Sequence, residues 1–406
     1  MRFWIKKLRE IPVKYGWIKA LLLGLLTTGI WANEWDFLTV NGYGTLGGAY
    51  QDNDAYLYKD SSYASRGSEG EFSFANYTLL GLQLDAQVSD RLSLTVQGIA
   101  SPNNENGHWL ELEWANAKYQ LTDSFDVRVG RMRSPTFMFS DILHVAYSYD
   151  WIHLPDMYTL VPFNKYQGIE LSHNWMLDDL YISSSVLYGQ ASSMFRDGKG
   201  NQAEGEAENA FGAYLRLIYN ELSMRVAYSR SSYTYDDPIV NQGIDQFSTL
   251  GIAQISDFIE RYQIQDTALD YVSVGMRYDF EQSYLLGEYM HFNTESFLAD
   301  RSSWYFGAGY NFETWAPYVL FSKTIYKENV SNIPTEGATP EEIQTIMIAN
   351  QLMRQSLEKS DATMDTFSIG MRYDMAENML FKLQYDKKKR PKVELDVFSC
   401  AVNFVF

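Results

Sequence analysis

The chain has 406 residues, of which 46% are hydrophobic and 16% aromatic, and its formal net charge is −18. A chain this rich in hydrophobic residues is not intrinsically disordered. Its acidity argues against a nucleic-acid partner, because phosphate binding needs clustered Lys and Arg. Cys400 is the only cysteine, which excludes an intramolecular disulfide and a thiolate metal cluster.

The N-terminal segment predicts export. Residues 1–19 contain six Lys or Arg against one acid, Glu10, and an apolar run follows from Ala20 to Ala32. This order of a basic region, a short apolar region and a small residue is typical of a secretory signal peptide. The run is shorter than the roughly 20 apolar residues that span a bilayer. We therefore predict a signal peptide over 1–32, with its exact cleavage site open, and an exported domain over 33–406.

Apolar and polar residues alternate with period two from residue 37 to the end, a pattern that indicates β-strands. Short polar connections at seven places predict hairpin turns: 89–91, 122–124, 177–179, 220–221, 281–283, 313–314 and 376–378. The longer connections are 52–70, 102–107, 134–166, 192–208, 236–267, 296–301, 328–362 and 387–392. Together they join sixteen strands, which predicts an all-β, antiparallel transmembrane barrel. Fourteen or eighteen strands remain open, since the two longest connections could each hide a hairpin.

The alternation also separates two faces of the barrel wall. Leu80, Leu82 and Leu84 form one row, while Gln83 and Asp85 belong to the other. The charged side chains predicted by the same parity to face the lumen are Asp85, Glu111, Glu113, Glu170, Arg216, Arg225, Arg277, Arg372 and Lys382. A wall of inward acids, bases and amides predicts a water-filled lumen, which sixteen strands leave open.

The connection 134–166 is unusually apolar and aromatic for an external loop. A long apolar loop must bury itself, and the barrel interior is available. The candidate residues of a pore constriction are the loop acids Asp141, Asp150 and Asp156 and the preceding bases Arg128, Arg131 and Arg133. Acids facing arginines would impose a transverse field on a passing solute. The alternative is that the arginines only pair with the loop acids and hold the loop in place.

Two helices are predicted within the longest loops. Thr339, Pro340 and Glu342 form a capping box at the start of one. A second is indicated over 252–262. These helices could cap the pore mouth, bind a partner or only order a long loop, and we favour the last.

The C-terminal segment ends on a strand with one apolar row, which consists of Phe398, Cys400, Val402, Phe404 and Phe406. Such a row can face lipid along its length. The segment resembles the final strands of Gram-negative outer-membrane proteins, whose terminal aromatic is read by their assembly machinery. This resemblance implies that Phe406 is an assembly signal.

The architecture and the position of the 134–166 loop after the fifth strand resemble the sixteen-stranded general porins, whose third external loop folds inward and narrows the pore. The resemblance implies a porin of the cell outer membrane that passes small hydrophilic solutes and ions by diffusion. Its implied partners are outer-membrane lipid, lipopolysaccharide and the barrel-assembly machinery, with a homotrimer left open. The alternatives are a substrate-selective porin with a specific lumen site, an outer-membrane barrel enzyme or an adhesin.

Catalysis finds little support in the sequence. None of the five histidines is followed two residues later by the serine that barrel phospholipases need, and no histidine pair has metal-ligand spacing. His144 and His153 are expected to be packed or hydrogen-bonded. The Gly42–Gly47 segment has the G-x-G-x-x-G spacing but lies in a strand without a following helix. We therefore predict no catalytic, cofactor-binding or metal-binding residues.

Overall fold

The computed structural model describes residues 37–406 except 62–63, 65, 105–107, 162, 197–200, 358–362 and 392. The predicted signal peptide lies outside the described residues and stays a prediction. Among the residues described, no helix has the length and apolar character needed to cross a membrane.

Sixteen antiparallel strands form a closed barrel in which each strand pairs with its sequence neighbours and β1 pairs with β16. The strands are β1 (Leu38–Gln51), β2 (Leu79–Ser89), β3 (Leu92–Ala100), β4 (Leu110–Gln120), β5 (Phe125–Arg133), β6 (Lys165–Leu177), β7 (Leu180–Arg196), β8 (Gln202–Tyr219), β9 (Leu222–Asp236), β10 (Thr267–Asp279), β11 (Ser283–Thr294), β12 (Asp300–Tyr310), β13 (Trp315–Lys327), β14 (Thr363–Ala376), β15 (Met379–Arg390) and β16 (Val393–Val405). The predicted barrel and its strand number are confirmed.

The seven short connections lie where the sequence places them, between β2 and β3 and at every second junction thereafter. Three of these turns use a residue with positive φ: Asp178 and Asn220 at 49° and Glu313 at 35°. The left-handed region is rarely populated by residues with a Cβ, and Asp and Asn enter it most readily. Local turn chemistry therefore explains why these junctions are so clear in the sequence.

Three predicted loops are wrong in extent. The first, 52–70, continues to residue 78, because β2 begins at Leu79. The other two are too long. β7 continues to Arg196 and β8 begins at Gln202, so most of 192–208 is a strand hairpin. The small residues Ala203, Gly205 and Ala207 are buried there, while the alternating glutamates are exposed, and this polar alternation was mistaken for loop composition. The predicted connection 387–392 is also too long, since 387–390 belongs to β15, where Lys388 and Arg390 pair with Asp156.

Three α-helices lie in the long loops: α1 (Pro238–Ser248), α2 (Ala253–Tyr262) and α3 (Pro340–Leu357). The predicted capping box of α3 is present, since the Thr339 N–H donates to Glu342 Oε2 at 2.7 Å and the Glu342 N–H donates to Thr339 Oγ1 at 3.4 Å. α2 and α3 share an apolar cluster built around Ile255, Phe258 and Ile346. The sequence did not predict α1, because Asp-Asp-Pro at 236–238 and Gly243 are turn signals.

The predicted inner and outer rows are confirmed in most of the wall. Leu82 is 45% exposed on the outside, whereas the inward Gln97 is 6% exposed. The expectation of a polar inner wall is wrong for β10 to β13, where inward Tyr271, Leu286 and Leu320 are buried in an apolar cluster. Residues of the 134–164 segment complete this cluster, so this part of the interior is a packed core and not a wet surface.

Candidate functional site

The connection between β5 and β6, residues 134–164, is called the third loop below. It contains three short 3₁₀ turns, Ser140–Ile142, Ala146–Ser148 and Asp156–Thr159. Its polar contacts reach Arg225 on β9 and Lys382 on β15, which lie several strands from β5 and β6 in either direction around the barrel. A loop that contacts walls so far apart runs across the interior. These contacts support the predicted inward fold of the loop.

Lys382 anchors the middle of the third loop. Its ammonium group donates to the carbonyl oxygens of Ala146, Tyr149 and Trp151, the last at 2.8 Å, and the side chain is fully buried. All three donors of the ammonium group are thus satisfied by loop backbone. A residue that the sequence assigned to the lumen wall is therefore a structural anchor and does not face solute.

Asp156 anchors the end of the third loop. Its carboxylate accepts hydrogen bonds from Lys388 at 2.8 Å, Arg390 at 2.8 Å and Thr366 at 2.7 Å. Burial alone would raise the pKa of Asp156, but Lys388 and then Arg390 outweigh it and hold the pKa well below its usual range. The carboxylate therefore stays ionised at neutral pH, and the anchor is permanent under those conditions.

The other two loop acids have partners of their own. Asp141 accepts from Arg225 at 2.6 Å, and the same guanidinium binds the carbonyl of Phe137. Asp150 accepts from the Tyr284 hydroxyl at 2.6 Å and lies 3.4 Å from Arg372. Each acid of the third loop is thus paired with a base of β9, β14 or β15.

The three predicted arginines do not pair with these acids, so the alternative in which they hold the loop acids is wrong, whereas the transverse field stays a prediction. Arg128 pairs with Glu170 and Arg133 with Glu113, both on neighbouring strands. Arg131 shares the outward row of Val129 and reaches Glu111 only at 4.0 Å. Carboxylates on neighbouring strands are closer to these arginines than any loop acid is. The alternation of residues along one strand does not reveal such cross-strand partners.

A group of buried charges lies under the start of the third loop. Lys165 donates to Glu111 and, at 3.0 Å, to Glu113, which also binds Arg133. His144 of the loop places Nε2 3.4 Å from Glu113. Burial lowers the pKa of His144, and Arg133 adds to this against the opposing effect of Glu113. His144 is therefore neutral at physiological pH and, as expected, packed, with Glu113 beside its ring.

Two further contacts of the loop were missed by the sequence. Glu288 on β11 accepts from the Met138 N–H at 2.9 Å and from the Tyr158 hydroxyl. His153 lies 2.9 Å from Asp386 on β15. Both acids lie in inward rows of their strands, but their partners are distant in sequence, and no local signal pairs them.

The remaining predicted lumen charges lie nearer the short-turn end. Arg277 pairs with Asp279 and Arg372 with Asp374, each at 2.6 Å. Asp85 accepts from Thr95 at 2.7 Å. Arg216 is exposed, beside its cross-strand partner Arg225. Near the short-turn end of the barrel, the inner surface therefore exposes both positive and negative side chains to solvent.

Open space remains beside the third loop. A cavity of 190 Å³ lies between it and β1 to β4 and touches Thr45, Glu111 and His144. A second cavity, of 480 Å³, borders the loop at His153, Leu154 and Asp156. The loop therefore narrows the interior without filling it.

The model of the family described as Gram-negative porin matches residues 32–392. The chain belongs to this family. A search of curated proteins gave no match. Porins of this family lie in the outer membrane, and the closed barrel described above is the corresponding fold.

Solved structures similar to this porin include outer-membrane proteins of other bacteria. The loop L8 deletion mutant of OmpT from Vibrio cholerae is 13% identical with a TM-score of 0.54, covering 91% of this chain and all of that one. The outer membrane channel DcaP of Acinetobacter baumannii is 11% identical with a TM-score of 0.53, covering 91% and 98%. Salmonella typhi OmpF, in complex with daunomycin, is 12% identical with a TM-score of 0.54, covering 91% and 97%. At such identities the likeness shows the shared fold.

Proposed function

We propose that this porin is a passive channel for small hydrophilic solutes and ions, narrowed by its third loop. The observation that carries the proposal is the set of anchors on that loop: Lys382, Lys388 and Arg390 on β15, and Arg225 on β9. They fix an ordered segment across the interior, while polar wall remains on the side of β2 and β3, where Gln83, Asp85 and Gln97 are hydrogen-bonded. A fixed obstruction beside a polar wall is the geometry of a diffusion channel.

Selectivity follows from the groups that still meet water. The Arg128 side chain is 34% exposed and Lys118 is 49% exposed, whereas their partners Glu170 and Asp126 are 1% and 11% exposed. On the third loop the acid is the more exposed partner, since Asp141 is 48% and Arg225 8% exposed, so groups of both signs meet water and the preference is weak. External charges more than a Debye length of roughly 8 Å from the path are screened. We therefore propose a weak preference for anions at the constriction, in spite of the chain's net charge of −18.

Planar-bilayer recording of the purified, folded barrel tests this function. We expect a steady ohmic conductance in KCl and a reversal potential in a salt gradient that lies slightly on the anion side. Removing residues 140–156 should increase the conductance and admit larger solutes, because the obstruction is lost. A folded barrel that conducts no ions would overturn the proposal, and unchanged conductance after the deletion would place the constriction elsewhere.

We assign no reaction to this barrel. The two loop histidines are each held against a carboxylate, Glu113 or Asp386, in positions that fix the loop. A barrel enzyme or an adhesin therefore remains the weaker alternative. Assay of the folded protein for lipid or peptide hydrolysis would decide the enzymatic alternative, and we expect no activity above that of the detergent blank.

Association and assembly complete the proposal. A neighbour in fold, OmpT of Vibrio cholerae, is described in a trimer form, with 11% identity and a TM-score of 0.52. We propose that this porin also forms a homotrimer in a membrane that contains lipopolysaccharide, after insertion by the barrel-assembly machinery. Light scattering of the detergent-solubilised protein should give three chains per particle. A mass of one chain would contradict the homotrimer and leave the channel proposal intact.

A further inference from the structure

The 480 Å³ cavity is called the vestibule below. It lies between the first loop, residues 52–78, the outer face of the third loop, and the long-loop ends of strands that include β12, β13 and β15. Pockets for small molecules typically have volumes of roughly 300–1,000 Å³. The vestibule therefore has the size of a binding site as well as of an entrance.

The charge of the vestibule is opposite to that of the chain. Its cationic side chains are Lys59, Arg301, Lys388 and Arg390. Among the described residues, the acids that line it are Asp60 and Asp156. A net positive cavity in a chain of net charge −18 concentrates anions.

Arg301 is the cation best placed to bind a ligand. Its guanidinium donates to the Leu160 carbonyl at 2.9 Å and lies over the rings of Phe292 and Tyr326, at 5.2 and 5.4 Å from their centroids. Its Nε is buried without a hydrogen-bond partner, and no carboxylate among the described residues pairs with it. A partly buried guanidinium usually has an anionic partner, and a planar fork suits a carboxylate.

The vestibule is also lined by aromatic rings, which belong to Tyr56, Tyr58, Phe195, Tyr233, Tyr235 and Tyr326. The ammonium of Lys388 lies 5.5 Å from the Tyr58 ring centroid. Rings in such density favour a ligand that can stack against them. The hydroxyls of Tyr58 and Tyr235 already contact Tyr77 and Asp237, which leaves those of Tyr56, Tyr233 and Tyr326 for its polar edge.

We propose that the vestibule is a binding site for small organic anions that carry an aromatic ring. Arg301 holds the anionic group, and the surrounding tyrosines hold the ring. The inference rests on the proposed channel function, to which it adds a substrate class. A solute bound here lies directly above the constriction and is supplied to it at a raised local concentration.

Single-channel recording with benzoate tests the site. Benzoate added on the long-loop side should produce transient current blockades at a concentration at least tenfold lower than acetate, benzyl alcohol or benzylammonium. Acetate lacks the ring, benzyl alcohol lacks the charge, and benzylammonium reverses it. If benzoate and acetate block equally well, the proposed role of the rings is wrong. If benzoate and benzyl alcohol block equally well, the proposed role of the cations is wrong.

Variants locate the site. Arg301→Gln should raise the blocking concentration of benzoate at least tenfold in a folded barrel that still conducts KCl. Tyr326→Leu should raise the blocking concentration by a smaller factor. The blocking concentration for Arg301→Lys should lie between those for the wild type and Arg301→Gln. Arg230→Gln is the matched control, since Arg230 is 60% exposed, pairs with Asp270 at 3.5 Å and does not line the vestibule.

The outcomes separate the site from the channel. If benzoate blocks Arg301→Gln at the same concentration as the wild type, the proposed binding site is wrong, even though the channel conducts. Absence of KCl conductance in the wild type would instead contradict the proposed function itself. If Arg301→Gln fails to fold, Arg301→Lys and Tyr326→Leu decide, since unchanged blockade in both also overturns the site.

Discussion

The ammonium nitrogen of Lys382, on β15, lies 2.8 Å from the carbonyl oxygen of Trp151, in the middle of the third loop, 231 residues away in sequence. Both side chains are fully buried. The Trp151 ring packs with Phe139 and Tyr318 in the apolar cluster of the interior. One contact therefore couples the polar anchor of the loop to the packed core that β10 to β13 provide.

Replacing Lys382 tests this coupling. Lys382→Met leaves three loop carbonyls without their donor, and each unsatisfied buried group costs about 1–3 kcal/mol. We expect the third loop to loosen, with higher open-channel noise and a larger mean conductance in bilayer recordings. Lys389→Met is the control, because Lys389 lies on the exposed outer row of the same strand. Wild-type noise in Lys382→Met would show that the apolar cluster alone holds the loop.

The sequence predicts the wall of this protein better than its interior. Turn residues such as Asn220 and the two-residue period are local signals, so strand number and the direction of Leu82 or Gln97 are readable from them. The partners of Asp156 cannot be read in this way, because Lys388 and Arg390 lie more than 230 residues further on, in a segment that the sequence predicts to be a connection. Long-range pairing depends on where the closed barrel brings two strands, and no local pattern carries that information.

Arg128 is the predicted constriction arginine that we now expect to act on ions. Its side chain is 34% exposed on an inward position, while Arg133 is 4% exposed and Arg131 shares the outward row. Arg128→Gln should therefore shift the reversal potential in a salt gradient toward cation selectivity. Arg131→Gln removes the same charge from the outer row and should leave the reversal potential unchanged. Equal shifts in both variants would contradict these orientations.

Anion preference should depend on pH through Asp60, in the first loop. Burial raises the pKa of Asp60 to about 7, against the opposing effects of His153 and Lys59. A raised carboxyl pKa means that the neutral form persists below about pH 7 and that a negative charge enters the vestibule above it. We expect the anion preference, measured as reversal potential, to fall between pH 6 and pH 8.

The Asp60→Asn variant should remove this dependence on pH. His153 also lines the vestibule and faces Asp386, so His153→Gln is the second variant to record. A pH profile that survives in Asp60→Asn and disappears in His153→Gln would assign the titration to the histidine.

The seam between β1 and β16 gives the last prediction. The backbone of Phe406 exchanges two hydrogen bonds with Gly42, at 2.8 and 2.9 Å, and its ring covers the outer face of this glycine. A Cβ at Gly42 would overlap the ring, so Gly42→Val must displace Phe406. Deleting Phe406 removes both hydrogen bonds and the ring, and we expect less assembled barrel. The measurement is the difference in gel mobility between unheated and boiled samples.

Two further variants separate loss of the seam from loss of an aromatic signal. Phe406→Leu keeps the backbone hydrogen bonds and removes only the aromatic ring. Gly42→Val keeps the ring but displaces it from the backbone against which it packs. If the terminal aromatic is read during assembly, Phe406→Leu should lower the yield of assembled barrel in cells but refold normally in detergent. If closure of the seam is what matters, Gly42→Val should lower refolding in detergent as well. Normal assembly of the Phe406 deletion in cells would contradict both explanations, because neither the signal nor the seam would then be needed.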